Sequence, residues 1–145
     1  MSFLVDGRTS QNASTSNAIA IPILVINTPQ LFGQIGLNSE GATGTPRVIM
    51  NGTMSVQLPL ALVGITITVV RGTLATDPVV YSCTSTFDLA LLAPQVITFT
   101  AADYDPPMAP VLTYTAFVSS NLLGTIRVGP ENFSGILIAD VEAAG

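Results

Sequence analysis

The chain has 145 residues and a net charge of −5, and charged residues make up only 9% of it, against roughly 25% in an ordinary soluble domain. It contains one cysteine and neither histidine nor lysine, which excludes serine–histidine triads, cysteine–histidine dyads, Schiff-base lysines and the usual zinc sites. Its four arginines are scattered singly and cannot neutralise a run of phosphates, so we expect no nucleic-acid partner. The composition predicts one domain that is not an enzyme and holds no cofactor and no metal.

The N-terminal segment differs from the rest of the chain. An apolar triplet, Phe3-Leu4-Val5, precedes a polar, low-complexity run over residues 7–17. Such a run buries little apolar surface, so we predict a flexible N-terminal arm over residues 1–17 and a folded domain over residues 18–145. The triplet either docks on a neighbouring copy or folds back on its own domain. No basic stretch followed by an apolar one opens the chain, so we expect no cleaved signal peptide.

Period-two alternation dominates from residue 18 onward and predicts β-strands. In the clearest example, Ile65, Ile67 and Val69 share one face and threonines lie between them. The predicted strands cover residues 65–71, 79–87, 96–100 and 112–118, with shorter ones at 126–128 and 136–138. No apolar stretch reaches the roughly 20 residues of a transmembrane helix, so no transmembrane segment is expected.

Turn-forming residues separate the predicted strands at regular intervals. Asn51-Gly52 is the strongest hairpin signal, because both residues tolerate positive φ in a type I′ turn. Asp105-Pro106 and Gly129-Pro130 have the chemistry of tight turns. Short helical turns are expected at Leu58–Leu62 and Leu89–Leu92. The whole pattern predicts an all-β fold, an antiparallel β-sandwich of jelly-roll type.

Two polar features leave alternatives open. Asp103 and Asp105 lie on one side of an extended or turn segment, where they either brace the turn or begin a calcium site. Cys83 has no partner for a disulfide within one chain. It is either a small buried apolar residue or a bridge between subunits.

Several predicted strands have apolar residues on both faces. Val70 lies opposite Ile67 and Val69, and Phe117 lies opposite Tyr114. Because a monomeric sandwich usually keeps one sheet face polar, this pattern indicates burial between copies of the chain. The residues that we expect at subunit contacts are Phe3, Leu4, Val5, Val70 and Phe117.

Two stretches, Ile65–Phe87 and Leu112–Gly135, resemble small all-β proteins of the spore surface in endospore-forming Firmicutes. The runs that match best are Val-Arg-Gly-Thr-Leu, Asp-Pro-Val-Val-Tyr-Ser and Arg-Val-Gly-Pro-Glu-Asn-Phe. The resemblance implies a jelly-roll subunit of a spore appendage or a tip domain of an exosporium filament, at the cell or spore surface. The N-terminal arm lacks the cysteines that cross-link appendage subunits, so such cross-links are not implied.

These observations favour a structural subunit that assembles with copies of itself into a fibre or layer, by pairing of strand edges and docking of the N-terminal arm. The alternative is a non-enzymatic module that binds a ligand or a surface and forms a discrete oligomer, such as a trimeric filament tip. A viral capsid subunit ranks third, because the chain has no basic arm for a genome.

Overall fold

The computed structural model describes residues 1–88 and 93–141, and β-strands are the only regular elements within them. The strands are β1 (Ser2–Ala13), β2 (Ile21–Pro22), β3 (Gln30–Asn38), β4 (Pro46–Gln57), β5 (Val63–Arg71), β6 (Val79–Phe87), β7 (Gln95–Tyr104), β8 (Val111–Ser120), β9 (Ile126–Arg127) and β10 (Glu131–Asp140). Each predicted strand lies at one of these positions, and the all-β prediction is confirmed. The described residues contain no helix with the length and apolar character that a membrane crossing requires.

The strands form two antiparallel sheets that pack face to face. One sheet has the order β1-β10-β4-β7, and the short strands β9 and β2 continue it beside β4 beyond the end of β10. The other has the order β3-β8-β5-β6. Consecutive long strands alternate between the two sheets, except for the β5–β6 hairpin within the second sheet, and the resulting two Greek keys are the jelly-roll connection. This order confirms the predicted β-sandwich of jelly-roll type.

The inner faces of the two sheets meet in one apolar core. Alternate residues of β4, β5 and β8 point into it, so the period-two pattern of the sequence corresponds directly to burial. Phe99 stands at the centre of an aromatic cluster and packs edge-on to Phe32 and parallel to Phe133 and Tyr81, with ring centroids 5.5 to 6.3 Å apart. This cluster fixes how far apart the two sheets lie.

The hairpin prediction at Asn51-Gly52 is wrong. Both residues lie in the interior of β4, where Gly52 pairs with Phe99 of β7. The ring of Phe99 occupies the space that a side chain at Gly52 would fill. The glycine therefore permits a close approach of an aromatic ring to a strand, rather than a turn.

The predicted flexible arm over residues 1–17 is also wrong for residues 2–13. They form β1, which pairs with β10 from Ser2↔Asp140 to Ala13↔Glu131. The polar side chains of this segment find partners in the sandwich, and Val5 packs against the core, so the strand gains enough contacts to be ordered. The structure thus has the fold-back arrangement and not an arm that is free to dock on a neighbour.

The structure describes only one of the two segments that were predicted to form helical turns. Residues 58–62 form an irregular connection in which the Ala61 amide donates to the Pro59 carbonyl at 2.8 Å, so no helical turn forms there. Leu89–Leu92 lie outside the described residues.

Candidate functional site

One lateral side of the sandwich is closed by side chains. There the edge strands β1 and β3 lie next to each other, and the side chains of β1 reach the main chain of β3. Asp6 accepts a hydrogen bond from the Asn38 amide at 2.7 Å, and Asn12 donates to the Phe32 carbonyl at 2.6 Å. The bond from Asn38 is the main cause that lowers the pKa of Asp6. These bonds occupy main-chain groups that another strand would need, so this side is poorly suited to strand addition.

The opposite lateral side is open. Its edge strands are β6, which pairs with β5, and β7, which pairs with β4. Beneath them the core is sealed by Tyr81 stacked on Phe99 at 5.5 Å. β6 runs for nine residues and contains no charged residue and no proline. Edge strands are normally protected by charge, proline, bulges or short length. β6 has one bulge, at Val80 near its start, and its remaining uncharged stretch, residues 81–87, is a template for pairing with another chain.

Cys83 lies at the middle of β6 and is exposed. The interpretation of this residue as a buried apolar side chain is therefore wrong. It pairs with Ile67 of β5, whose side chain is buried, but the edge position leaves Cys83 accessible to solvent. The alternative, a bridge between subunits, stays a prediction.

One end of the sandwich is apolar. Three loops meet there, over residues 23–29, 58–62 and 121–125, and we call this surface the apolar end. Its large apolar side chains are between 39% and 73% exposed: Leu24, Val25, Ile26, Leu60, Leu62, Leu122 and Leu123. None of the three loops contains a charged residue. Exposed apolar patches of this size mark sites of interaction in soluble proteins.

The opposite end of the sandwich, the polar end, carries most of the charge. Asp140 accepts a hydrogen bond from Arg47 at 2.9 Å and one from Ser2, which joins the ends of β10, β4 and β1. The bond from Arg47 is the main cause that lowers the pKa of Asp140. Asp77 accepts bonds from the amides of Thr73 and Leu74 in the loop between β5 and β6. The molecule therefore has an apolar and a charged end.

Asp103 forms a closed polar group beneath the polar end. It accepts two hydrogen bonds from Arg71 and one from the Tyr114 hydroxyl, each at 2.7 Å. Burial, and then the bond to Asp103, raise the pKa of Tyr114, while the same carboxylate raises the pKa of Arg71. Asp105 lies in the following turn with a φ of 53°, and its amide donates to Pro46.

This geometry supports turn bracing rather than a calcium site at Asp103 and Asp105. The oxygens of Asp103 are taken by Arg71 and Tyr114, so they are not free to bind a cation. Within residues 1–88 and 93–141 no three acidic, histidine or cysteine side chains lie close enough together to hold a metal ion.

A second buried ion pair, which the sequence analysis missed, lies beneath the apolar end. Arg127 of β9 and Glu131 of β10 form a bidentate pair, with 5% and 0% of their side chains exposed. Asn12 donates to Glu131 at 2.6 Å, and Arg127 donates to Gln30 at 3.1 Å. The pair thus ties β1, β3, β9 and β10 together. Its sequence signal is an arginine between the apolar residues Ile126 and Val128 of a short strand.

The structure does not bring the five predicted contact residues together. Leu4 is exposed beside Ile136 and Ile138 on the outer face of the first sheet, Phe3 is half-buried, and Val5 packs against the core. Val70 is fully buried and Phe117 is 7% exposed within one chain. These last two side chains therefore leave almost no surface for a second copy to cover.

Comparisons with known proteins bear on the fold alone. A scan of protein-family models and a search of curated proteins find no match. Among solved structures the chain is similar to the Eiger TNF of S. frugiperda, with 11% identity and a TM-score of 0.48 over 97% of this chain and 98% of that one.

Two further solved structures are similar over most of this chain. A chain of the infectious bursal disease virus particle has 7% identity and a TM-score of 0.49 over 93% of this chain, which spans only 35% of that one. A carbohydrate-binding module of Cellvibrio mixtus lichenase 5A, solved with cellotriose, has 12% identity and a TM-score of 0.36 over 97% and 100% of the two chains. These values are too low to carry an argument about function, so function is argued below from the surface of this chain.

Proposed function

We propose that this protein is a structural subunit that joins copies of itself by pairing the open β6 edges of two sandwiches. The observation that supports the proposal best is the contrast between the two lateral sides. On the closed side, side chains of β1 occupy the edge of β3, whereas β6 presents nine uncharged residues, and no strand among residues 1–88 and 93–141 pairs with its outer side. Main-chain donors and acceptors of such an edge are fully satisfied when a second strand adds to it.

The low charge of the chain supports the same proposal. Two copies meeting at β6 bring no charged side chain of that strand into contact, so repulsion and desolvation of charge are confined to Asp77 and Asp88, which flank the strand. The exposed residues of β6 are mainly Ser and Thr, whose hydroxyls pair readily across strands. Within the chain Thr66 and Thr84 already form such a pair between β5 and β6, with the two oxygens 2.8 Å apart.

A charge placed at the centre of the edge tests the proposal. We expect the wild-type chain to sediment well above its monomer mass of 15.0 kDa. Cys83→Lys should shift the population to smaller species, because a lysine at an edge blocks strand addition. Cys83→Ser removes the thiol without adding charge and should assemble as the wild type does.

Two results would contradict the proposal. One is a monomeric wild-type chain at millimolar concentration, and the other is equal assembly of the Cys83→Lys and Cys83→Ser variants. A discrete soluble oligomer without fibres or layers, unaffected by Cys83→Lys, would favour the alternative module that binds a ligand or surface. Circular dichroism on both variants would establish that the sandwich itself is folded.

The proposed location of the assembly is the cell or spore surface. The resemblance of Ile65–Phe87 and Leu112–Gly135 to spore-surface proteins supports this location. Immunogold labelling of intact spores and vegetative cells of the source organism would test it. Label confined to the cytoplasm would contradict it.

A further inference from the structure

The apolar end forms one continuous surface. Leu24 and Ile26 face Leu122 and Leu123 across a shallow groove of about 530 Å³. The loop over residues 58–62 lies directly beside them, because Pro59 packs against Gly124 and the Asn121 amide donates to the Gly64 carbonyl at 3.2 Å. Together the seven exposed side chains present roughly 700 Å² of mainly apolar surface, close to the 800 Å² that each partner buries in a standard interface.

The chemistry of this surface distinguishes between a protein and a bilayer as its occupant. A protein that inserts loops into a membrane interface usually carries lysine or arginine for the lipid phosphates and tryptophan or tyrosine at headgroup level. The three loops contain none of these four residue types. A bilayer is therefore a poor match, whereas a second uncharged apolar surface fits.

The distribution of charge points to a second copy of this chain. Most charges, such as Arg47–Asp140 and Asp77, lie at the polar end, on the far side of the sandwich from the apolar end, whereas Asp88, which follows β6, is exposed near the apolar end. Two copies that meet through their apolar ends keep most of their charged side chains far apart. We propose that the apolar end is a second self-association surface, on which the apolar end of another copy packs.

This second surface explains how assembly continues beyond a pair. If two β6 strands pair about a two-fold axis, both open edges are consumed and growth stops at a dimer. Contact between apolar ends then joins one dimer to the next, and alternation of the two contacts builds an extended chain. The formation of an extended chain rests on the proposed β6 pairing, whereas the contact between apolar ends does not depend on it.

A variant in which strand addition at β6 is blocked allows the contact between apolar ends to be measured by itself. In the Cys83→Lys variant, sedimentation velocity should still show a concentration-dependent species larger than 15.0 kDa, which contact between apolar ends maintains. Adding Leu24→Gln and Leu123→Gln should reduce this species to a monomer. Leu74→Gln is the matched control, since Leu74 is 62% exposed but lies at the polar end, and it should leave the larger species unchanged.

Three results would overturn the inference and leave the β6 proposal standing. They are a Cys83→Lys chain that is monomeric at every concentration, a larger species that survives Leu24→Gln with Leu123→Gln, and wild-type chain that floats with neutral phosphatidylcholine vesicles. Hydrogen exchange on wild-type chain gives a measurement that needs no variant. The amides of residues 23–29 and 121–125 should exchange more slowly at high than at low protein concentration, and equal rates would also overturn the inference.

Discussion

The ring of Phe99 lies directly over Gly52, its cross-strand neighbour, in the space where any other residue would carry its side chain. Gly33 of β3 makes a close approach across the sheets, since a Cβ there would lie 2.5 Å from the Cβ of Phe133 in β10. The aromatic cluster thus reaches the backbone of both sheets, and glycines on facing strands allow the sheets to close. Close packing of the core therefore requires these glycines as well as the large aromatic side chains.

A methyl group at Gly52 should therefore destabilise the fold. Gly52→Ala forces the Phe99 ring to move within a closely packed core, which costs about 1–3 kcal/mol of unfolding free energy. Gly7→Ala is the control, because a Cβ there meets Ile136 at an ordinary 3.5 Å. We expect that variant to change stability by about 0.5 kcal/mol or less. Urea unfolding followed by circular dichroism measures both, and equal stability of the two variants would contradict the close packing of Phe99 on Gly52.

Breaking the buried ion pair should cost more than breaking an exposed one. Arg127→Leu leaves the fully buried Glu131 carboxylate without its cation, at a cost of about 3–5 kcal/mol. Arg8→Ala removes the pair with Asp6, in which Arg8 is 55% exposed, and should cost about 1 kcal/mol or less. Arg127→Leu should also loosen β1, since Asn12 bonds to Glu131. Denaturant unfolding measures the stabilities, and comparable losses in the two variants would show that the buried pair has no special role.

Acid should weaken the attachment of β1. The pKa values of Asp6 and Asp140 are both lowered from 3.8 in the folded chain, so folding favours their ionised forms. Their contribution to stability is then complete above pH 3.8 and is lost as pH falls through the folded-state values. Asp6 bonds to Asn38 of β3, and Asp140 bonds to Ser2 of β1, so protonation releases contacts of β1 on both sides.

Thermal unfolding between about pH 6 and about pH 2 tests this dependence. The Tm of the wild-type chain should decrease as the pH is lowered below 3.8. The double variant Asp6→Asn/Asp140→Asn should have a lower Tm near neutral pH and a smaller decrease of Tm in acid. Asp88→Asn removes an exposed carboxylate that lies outside β1 and should leave the acid-induced fall unchanged. Parallel profiles for all three proteins would contradict the assignment.

The sequence predicted the fold class because alternation in the central strands follows burial closely. Ile65, Ile67 and Val69 alternate with threonines, and in the structure these three side chains are buried in the core while the threonines between them are only half-buried. The prediction failed where long-range contacts override local signals. Residues 2–13 are polar enough to read as an arm, yet pairing with β10 orders them, and Asn51-Gly52 has turn chemistry but lies under Phe99.

The candidate surfaces were predicted less well, because exposure depends on topology. Apolar residues on both faces of a strand suggested contacts at Val70 and Phe117, but the chain buries both of them itself. Leu24, Leu60 and Leu123 are far apart in sequence and converge only when the jelly roll places their loops at one end. No spacing rule within a single sequence reveals such a surface.

Oxidation should report the register of the β6 contact. Cys83 is the central residue of Val79–Phe87, so antiparallel pairing about a two-fold axis at the strand centre places it opposite Cys83 of the other copy, with Cβ atoms about 4.5–5.5 Å apart. A small adjustment allows a disulfide, and mild oxidation should yield a species of twice 15.0 kDa on non-reducing gels. In the control, Cys83→Ser with Ser85→Cys, the two thiols lie four residues out of register, about 13 Å apart, and should cross-link far more slowly. Equal rates for the two proteins would mean that the thiols meet by random collision and that β6 does not pair in this register.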